Sequence, residues 1–222
     1  MKKKKNNRKL KATRAQNKAP SFFYRNIVFI LLLLIILVSA FIRLRLLNVP
    51  LERDEGEYAY FGQLMLEGIP PFEAAYTMKF PGTHLVYAFF MFIFGQSVAG
   101  IHFGLLMINI ASSFFLFFIV KRLIGNTGAL LSVLVFAFLS LNDTILGFAG
   151  HATHFVTVAT LAGTMILLKA FEKKKWHLYF IAGVLFGLAP IFKQGCVFFS
   201  VFGGLILIVH WLIYDKGKYR QV

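Results

Sequence analysis

The sequence is short of several things that a soluble domain relies on. It has one cysteine, six prolines, two tryptophans and nine acidic residues in a chain of 222. A single thiol, Cys196, excludes a disulfide framework within the chain. There is no phosphate-cradling glycine loop, no nucleophile elbow and no spaced Cys/His zinc framework, so the common nucleotide-binding, hydrolase and zinc-finger chemistries have no motif to rest on. Charged residues make up only 15%. Hydrophobic residues reach 58% and aromatics 17%, mostly Phe, against about 45–50% apolar residues in a typical soluble domain. A membrane-embedded helical protein fits this composition and a soluble one does not.

The formal charge of +15 invites a nucleic-acid reading, but its distribution argues against one. Ten of the 24 Lys and Arg lie in "MKKKKNNRKLKATRAQNKAPSFFYR", and no basic surface with interleaved aromatics follows. Residues 1–23 read as a disordered cytoplasmic tail attracted to anionic lipid headgroups, with a second short basic tail at 215–222. The first apolar run has no clean small-residue cleavage pattern after it and reads as an uncleaved signal anchor. Apolar segments predict membrane helices near 24–44, 98–120, 127–147, 152–171, 177–193 and 196–214. Gly82 to Phe94 is apolar but too short to cross, and reads as a re-entrant or interfacial helix. With the basic tail inside and six crossings, "KRLIGN", "EKKKWH" and "DKGKYR" all fall inside as well, as the positive-inside rule requires. Arg43 and Arg45 are a minor exception. The expected fold is therefore an all-α, polytopic membrane helix bundle over 24–214, with an external acidic loop at 45–81. Gly100–Gly104 and Gly183–Gly187 have the spacing of close helix contacts.

Six of the nine carboxylates fall in one stretch, "LERDEGEYAYFGQLMLEGIPPFEAAYTMKFPG", residues 51–82. Its first half reads as an amphipathic helix on the outer surface. Asp54 is the expected N-cap, with Glu55 and Glu57 near the positive end of the dipole. Tyr58, Phe61, Met65 and Leu66 form a stripe, Gly68 the C-terminal cap, and Pro70–Pro71 a stop. Two readings follow: an interfacial helix with a solvated acidic start, or a site in which a carboxylate takes a proton from an attacking hydroxyl or ligates a divalent cation. The same topology carries Asp143, His151, His154 and Lys193 to this outer face. His84 could line the same cleft, whereas His102, His177 and His210 look like packing or interface residues.

The stretch "RDEGEYAYFGQLMLEGIPPFEAAYTMKFPGTHLVYAFFMFIFGQS" resembles the first external loop of the GT-C membrane glycosyltransferases. It is nearest the branch of the protein O-mannosyltransferases and the bacterial aminoarabinose transferase. The likeness rests on Asp54-Glu55, Tyr58, "KFPG" at 79–82 and "FIFGQS" at 92–97, and extends over about 25–214. It implies transfer of a sugar from a polyprenyl-phosphate carrier to an external lipid, glycan or protein acceptor by inverting displacement. Carried over, Asp54 is the general base, and Glu55 orients it or helps bind a metal. Tyr58, Lys79, His151, His154 and Lys193 are the candidate substrate or phosphate contacts. No cofactor is certain; a divalent cation held by Asp54, Glu55 and His154 is the possible one. The resemblance departs at the external turn "LNDTILGFAGHATHF", where relatives commonly carry an acidic residue and this chain has His154. Such enzymes usually have more membrane helices, so a truncated or split module with a second subunit is one expectation. A transporter or flippase of lipid-linked sugar, or a non-catalytic membrane partner, is the alternative. The expected location is the cell's inner membrane, with the N-terminus cytoplasmic.

Overall fold

The computed structural model describes residues 22–142, 144 and 146–215. Most of the basic tail at 1–23, the segment 216–222 and Asp143 lie outside the described residues. Those described form an all-α bundle without a strand: α1 (Phe22–Arg45), α2 (Arg53–Leu66), α3 (Gly82–Phe94), α4 (Val98–Leu139), α5 (Ala152–Lys173), α6 (Trp176–Phe192) and α7 (Val197–His210). Among the described residues four helical stretches are long and apolar enough to cross a membrane: Asn26–Arg45, Val98–Leu139, Ala152–Lys173 and Gln194–Ile213. The chain is thus an integral membrane helix bundle. The two remaining apolar helices, α3 and α6, are shorter.

The 42 residues of α4 would make a straight rod of roughly 63 Å, about twice a bilayer core. It is not straight. At Gly125 the backbone takes φ 89°, ψ −176°, a conformation essentially confined to glycine. Both ends of α4 return to the same end of α1. His102 Nδ1 lies 2.9 Å from Leu47 O, and Arg43 donates to Ser140 O. Val28, Leu32 and Ile36 of α1 pack against Phe117 on one arm and against Ala129 and Val133 on the other. The segments expected at 98–120 and 127–147 are therefore two helical arms that fold back on each other at Gly125. Its bend carries Lys121 and Arg122, and Arg122 reaches Glu172 at the end of α5, 2.9 Å away. The basic clusters at 121–122 and 173–175 thus share one end of the bundle.

The helix expected to run to residue 147 stops at Leu139. Arg43 explains the stop. Its buried guanidinium donates to the carbonyls of Ser140 and Gly147, which satisfies backbone acceptors a continuing helix would have used itself. The basic residue that sits awkwardly with the positive-inside count is thus a cap for a turn about a hundred residues later.

α2 and α3 make the platform for the site. Glu52, not Asp54, is the N-cap: its carboxylate accepts the Asp54 N–H at 2.7 Å, while Glu55 accepts the Glu52 N–H at 3.0 Å. Glu is a poor cap by side-chain length. It serves here because the reciprocal bond from Glu55 closes a capping box. At the other end Gly68, at φ 82°, completes a Schellman motif, with its N–H on Met65 O and that of Ile69 on Leu64 O. Tyr58 joins Tyr87, Phe90, Met91, Ile101 and Phe155 in one buried cluster, so the expected stripe faces inward. Gly104 abuts the Phe90 ring, the close contact its spacing suggests. Gly183 and Gly187 have nothing within 4 Å of a notional Cβ. There the spacing misleads, and Gly163 and Gly203 make the contacts, both on Phe186. Asn109, Ser112 and Ser113 bond carbonyls of their own helix, which gives a polar transport path no support.

At Gly62 the backbone of α2 packs directly against α3. A Cβ there would lie 2.9 Å from Ala88 N and 2.7 Å from Met91 Cε. Gly62→Val should cost about 1–3 kcal/mol by overpacking and lower the thermal midpoint in detergent. Gly56→Ala, with nothing within 4 Å, should not lower it.

Candidate active site

Adjacent carboxylates on a helix point in different directions, and here they meet different surroundings. Glu55 is 1% exposed. Its Oε1 accepts the Gly150 N–H and lies 3.3 Å from His102 Nε2; its Oε2 accepts the Glu52 N–H. Burial alone would raise its pKa. The donors His102, Glu52 N–H and Gly150 N–H outweigh burial and hold it below the ordinary glutamate range. His102 Nδ1 faces the Leu47 carbonyl, so that nitrogen must be the donor. Its Nε2 faces the Glu55 carboxylate at 3.3 Å. Tyr87 closes the group by donating to Gly150 O at 2.8 Å. Both Glu55 oxygens are occupied, so the residue expected to assist chemistry is an internal anchor.

Asp54 faces the other way and is 26% exposed. Its Oδ1 lies 3.4 Å from Lys79 Nζ, and its Oδ2 lies 3.8 Å from His151 Nδ1. Lys79 also bonds Glu57 at 2.9 Å and sits over the Tyr58 ring, 4.6 Å from its centroid. Burial tends to lower the Lys79 pKa. Glu57 first, then Tyr58 and Asp54, raise it above the ordinary lysine value, so the ammonium stays charged. Thr77 donates to Glu57 at 2.8 Å and accepts from the Lys79 N–H, which straps the 77–79 turn onto α2. The hydrogen bond and positive charge of Lys79, with Thr77, hold Glu57 below the usual carboxylate range despite the opposing effect of burial.

The end of α6 is pinned to this strap. Thr83 donates to Phe192 O and Gln194 to Met78 O. The start of α3 lies so close that a Cβ on Gly82 would fall 2.6 Å from Ile191 O. The result is a cavity of about 290 Å³, lined by Asp54, Tyr58, Lys79, His151 and Lys193, with Phe80 and Phe192 among its apolar groups. Five of the seven expected site residues meet in it. Glu55 and His154 do not line it. His84, expected in the cleft, is fully buried and stacked on Phe61 at 4.6 Å. His102, expected to be packing, is the partner of Glu55.

The possible metal set also differs from the expected one. Glu52, Asp54 and His151 offer ligand atoms within 4.8 Å of one another, whereas Glu55 is committed elsewhere and His154 is not part of the group. A mixed carboxylate–imidazole donor set of this kind suits a divalent transition metal or zinc. Glu57 was absent from the expected site, although its place three residues after Asp54 puts both on one face. Glu52 and Arg43 carried no comparable local signal.

The class of the protein follows from comparison with known families, which identifies a membrane glycosyltransferase of the GT-C type. The family model for dolichyl-phosphate-mannose-protein mannosyltransferase matches residues 78–220, well over half of the chain, and the protein belongs to that family. The matched region includes Lys79, His151, His154 and Lys193 and begins after Asp54. No curated protein and no solved structure matches the chain.

A Cβ on Gly150 would run into Tyr87 Oη and lie 2.9 Å from Glu55 Oε1. Gly150→Ala and Glu55→Gln should each lower stability by about 1–3 kcal/mol, the scale of a buried polar group left without its partner. Because both break one network, the double variant should fall short of the sum by about 0.5 kcal/mol or more. Thermal unfolding of the four proteins measures this.

Proposed function

We propose that this chain transfers a sugar from a polyprenyl-phosphate carrier to an acceptor hydroxyl in the cavity beside Asp54. The acceptor oxygen forms its bond to the anomeric carbon while its proton passes to the Asp54 carboxylate. The bond from that carbon to the phosphate oxygen breaks, and the lipid phosphate leaves with the electron pair. Lys79 and Lys193 balance the charge that grows on the leaving phosphate. Tyr58, Phe80 and Phe192 supply the apolar lining, and Glu55 fixes the helix start from which Asp54 projects. The observation that carries this reading is the placing of Asp54, accessible and 3.4 Å from the Lys79 ammonium, in one cavity with Lys193 and His151. The residues resembling the family's first external loop and the family match support it.

The reading sets this cavity on the external face of a cell's inner membrane, since the basic clusters gather at the opposite end. The Glu52–Asp54–His151 group is where a divalent cation would bind, and omission of metal in the presence of EDTA reads whether one is required.

Two measurements test the proposal. Purified protein incubated with a series of polyprenyl-phosphate sugars and candidate acceptors should release the lipid phosphate and form glycosylated product. Asp54→Asn should lower kcat about 10²–10⁴-fold without changing the thermal midpoint; transfer at the parent rate would refute the role of Asp54. For orientation, the Arg53 side chain is 90% exposed. Arg53→Cys in a Cys196→Ser background should react with a membrane-impermeant maleimide on intact cells. Labelling only after permeabilisation would put the cavity on the wrong side.

A further inference from the structure

The opposite end of the bundle carries a recess of another kind, independent of the transfer chemistry. The first arm of α4 and the end of α5 meet there through Arg122, whose Nη2 is 2.9 Å from Glu172 Oε1 and 3.3 Å from Leu168 O. From this junction a groove of about 390 Å³ runs between the helices toward the middle of the bundle. Phe114, Phe115, Phe118, Ile119, Met165 and Leu168 wall it, and Arg122 and Lys169 stand at its basic end. Lys169 is exposed and has no ion pair among the described residues. Lys121 and Lys173 lie at the same end.

A groove that is apolar along its length and cationic at one end matches a molecule with a hydrocarbon chain and an anionic head. We infer that it holds an anionic phospholipid, its acyl chain along the Phe114–Phe118 and Met165 wall and its phosphate between Arg122 and Lys169. Both helices belong to candidate membrane spans, so a lipid reaches the groove without leaving the bilayer. Charge selects the class of lipid. Lys and Arg attract an anionic headgroup, whereas a zwitterionic headgroup carries its own cation beside the phosphate.

The test uses the full chain in a neutral detergent, with phosphatidylglycerol or phosphatidylcholine of identical acyl chains. Native mass spectrometry counts retained lipids, and thermal unfolding reads the stabilisation. Phosphatidylglycerol should be retained and raise the midpoint, and phosphatidylcholine should do neither. Lys169→Glu should cut the preference about tenfold, and Lys169→Gln by less. Lys175→Glu, in the exposed link after α5 and outside the groove, should leave it unchanged. Met165→Trp should reduce retention by filling the groove without altering charge. Equal retention of both lipids, equal losses from Lys169→Glu and Lys175→Glu, or a Met165→Trp protein that keeps its lipid would overturn the assignment. So would inorganic phosphate alone reproducing the shift.

Discussion

The Glu55 carboxylate, 1% exposed, is tolerable only because every side of it meets a donor. An uncompensated buried carboxylate would neutralise itself or unfold its surroundings. This one is met by two backbone N–H groups and an imidazole, contributed by the start of α2, the turn before α5 and the start of α4. Three segments far apart in sequence are therefore obliged to converge. Its chain neighbour Asp54 and Gly150's neighbour His151 are carried along, which is how two side chains nearly a hundred residues apart come within 3.8 Å. The functional surface is set by an interaction one residue behind it.

Arg43 makes the same kind of connection from α1. By taking the Ser140 and Gly147 carbonyls it ends α4 and shapes the turn that delivers Gly150. A recess of about 180 Å³ is lined by Arg43, Glu52, Glu55 and His102, none of which lines the Asp54 cavity. The two carboxylates of one dipeptide thus divide their work. One is solvated enough to meet a substrate, and the other is desolvated and fully bonded. The strap of Thr77, Lys79 and Glu57 then closes the front, and its lysine serves two carboxylates at once.

Much of this was legible from residue order. The helix at 82–94 appears with the predicted bounds because it is apolar, begins after Pro81 and ends at a glycine with positive φ. The amphipathic helix and its Gly68 cap also follow from local pattern, and the gathering of Asp54, Tyr58, Lys79, His151 and Lys193 from what the family resemblance implies together with charge placed on one side of a membrane. What misled was also local. Asp54 has the better capping side chain, yet Glu52 caps because Glu55 reciprocates. Gly183–Gly187 has the right spacing, yet that face of α6 meets no helix. Of two histidines one turn apart His154 was the expected metal ligand, yet His151 precedes α5 and lines the cavity while His154 lies within the helix.

Composition and hydropathy by themselves determined that this is a helical membrane protein with six of its nine carboxylates in one short stretch, because burying apolar side chains in lipid depends on how many there are and how they recur. Only the tertiary structure decided which carboxylate is the anchor and which is available, because that depends on donors brought from distant segments. Residues 54 and 55 are the same kind of acid in the sequence. Gly150 and His102 make one of them part of the interior, and Lys79 and His151 leave the other facing the cavity.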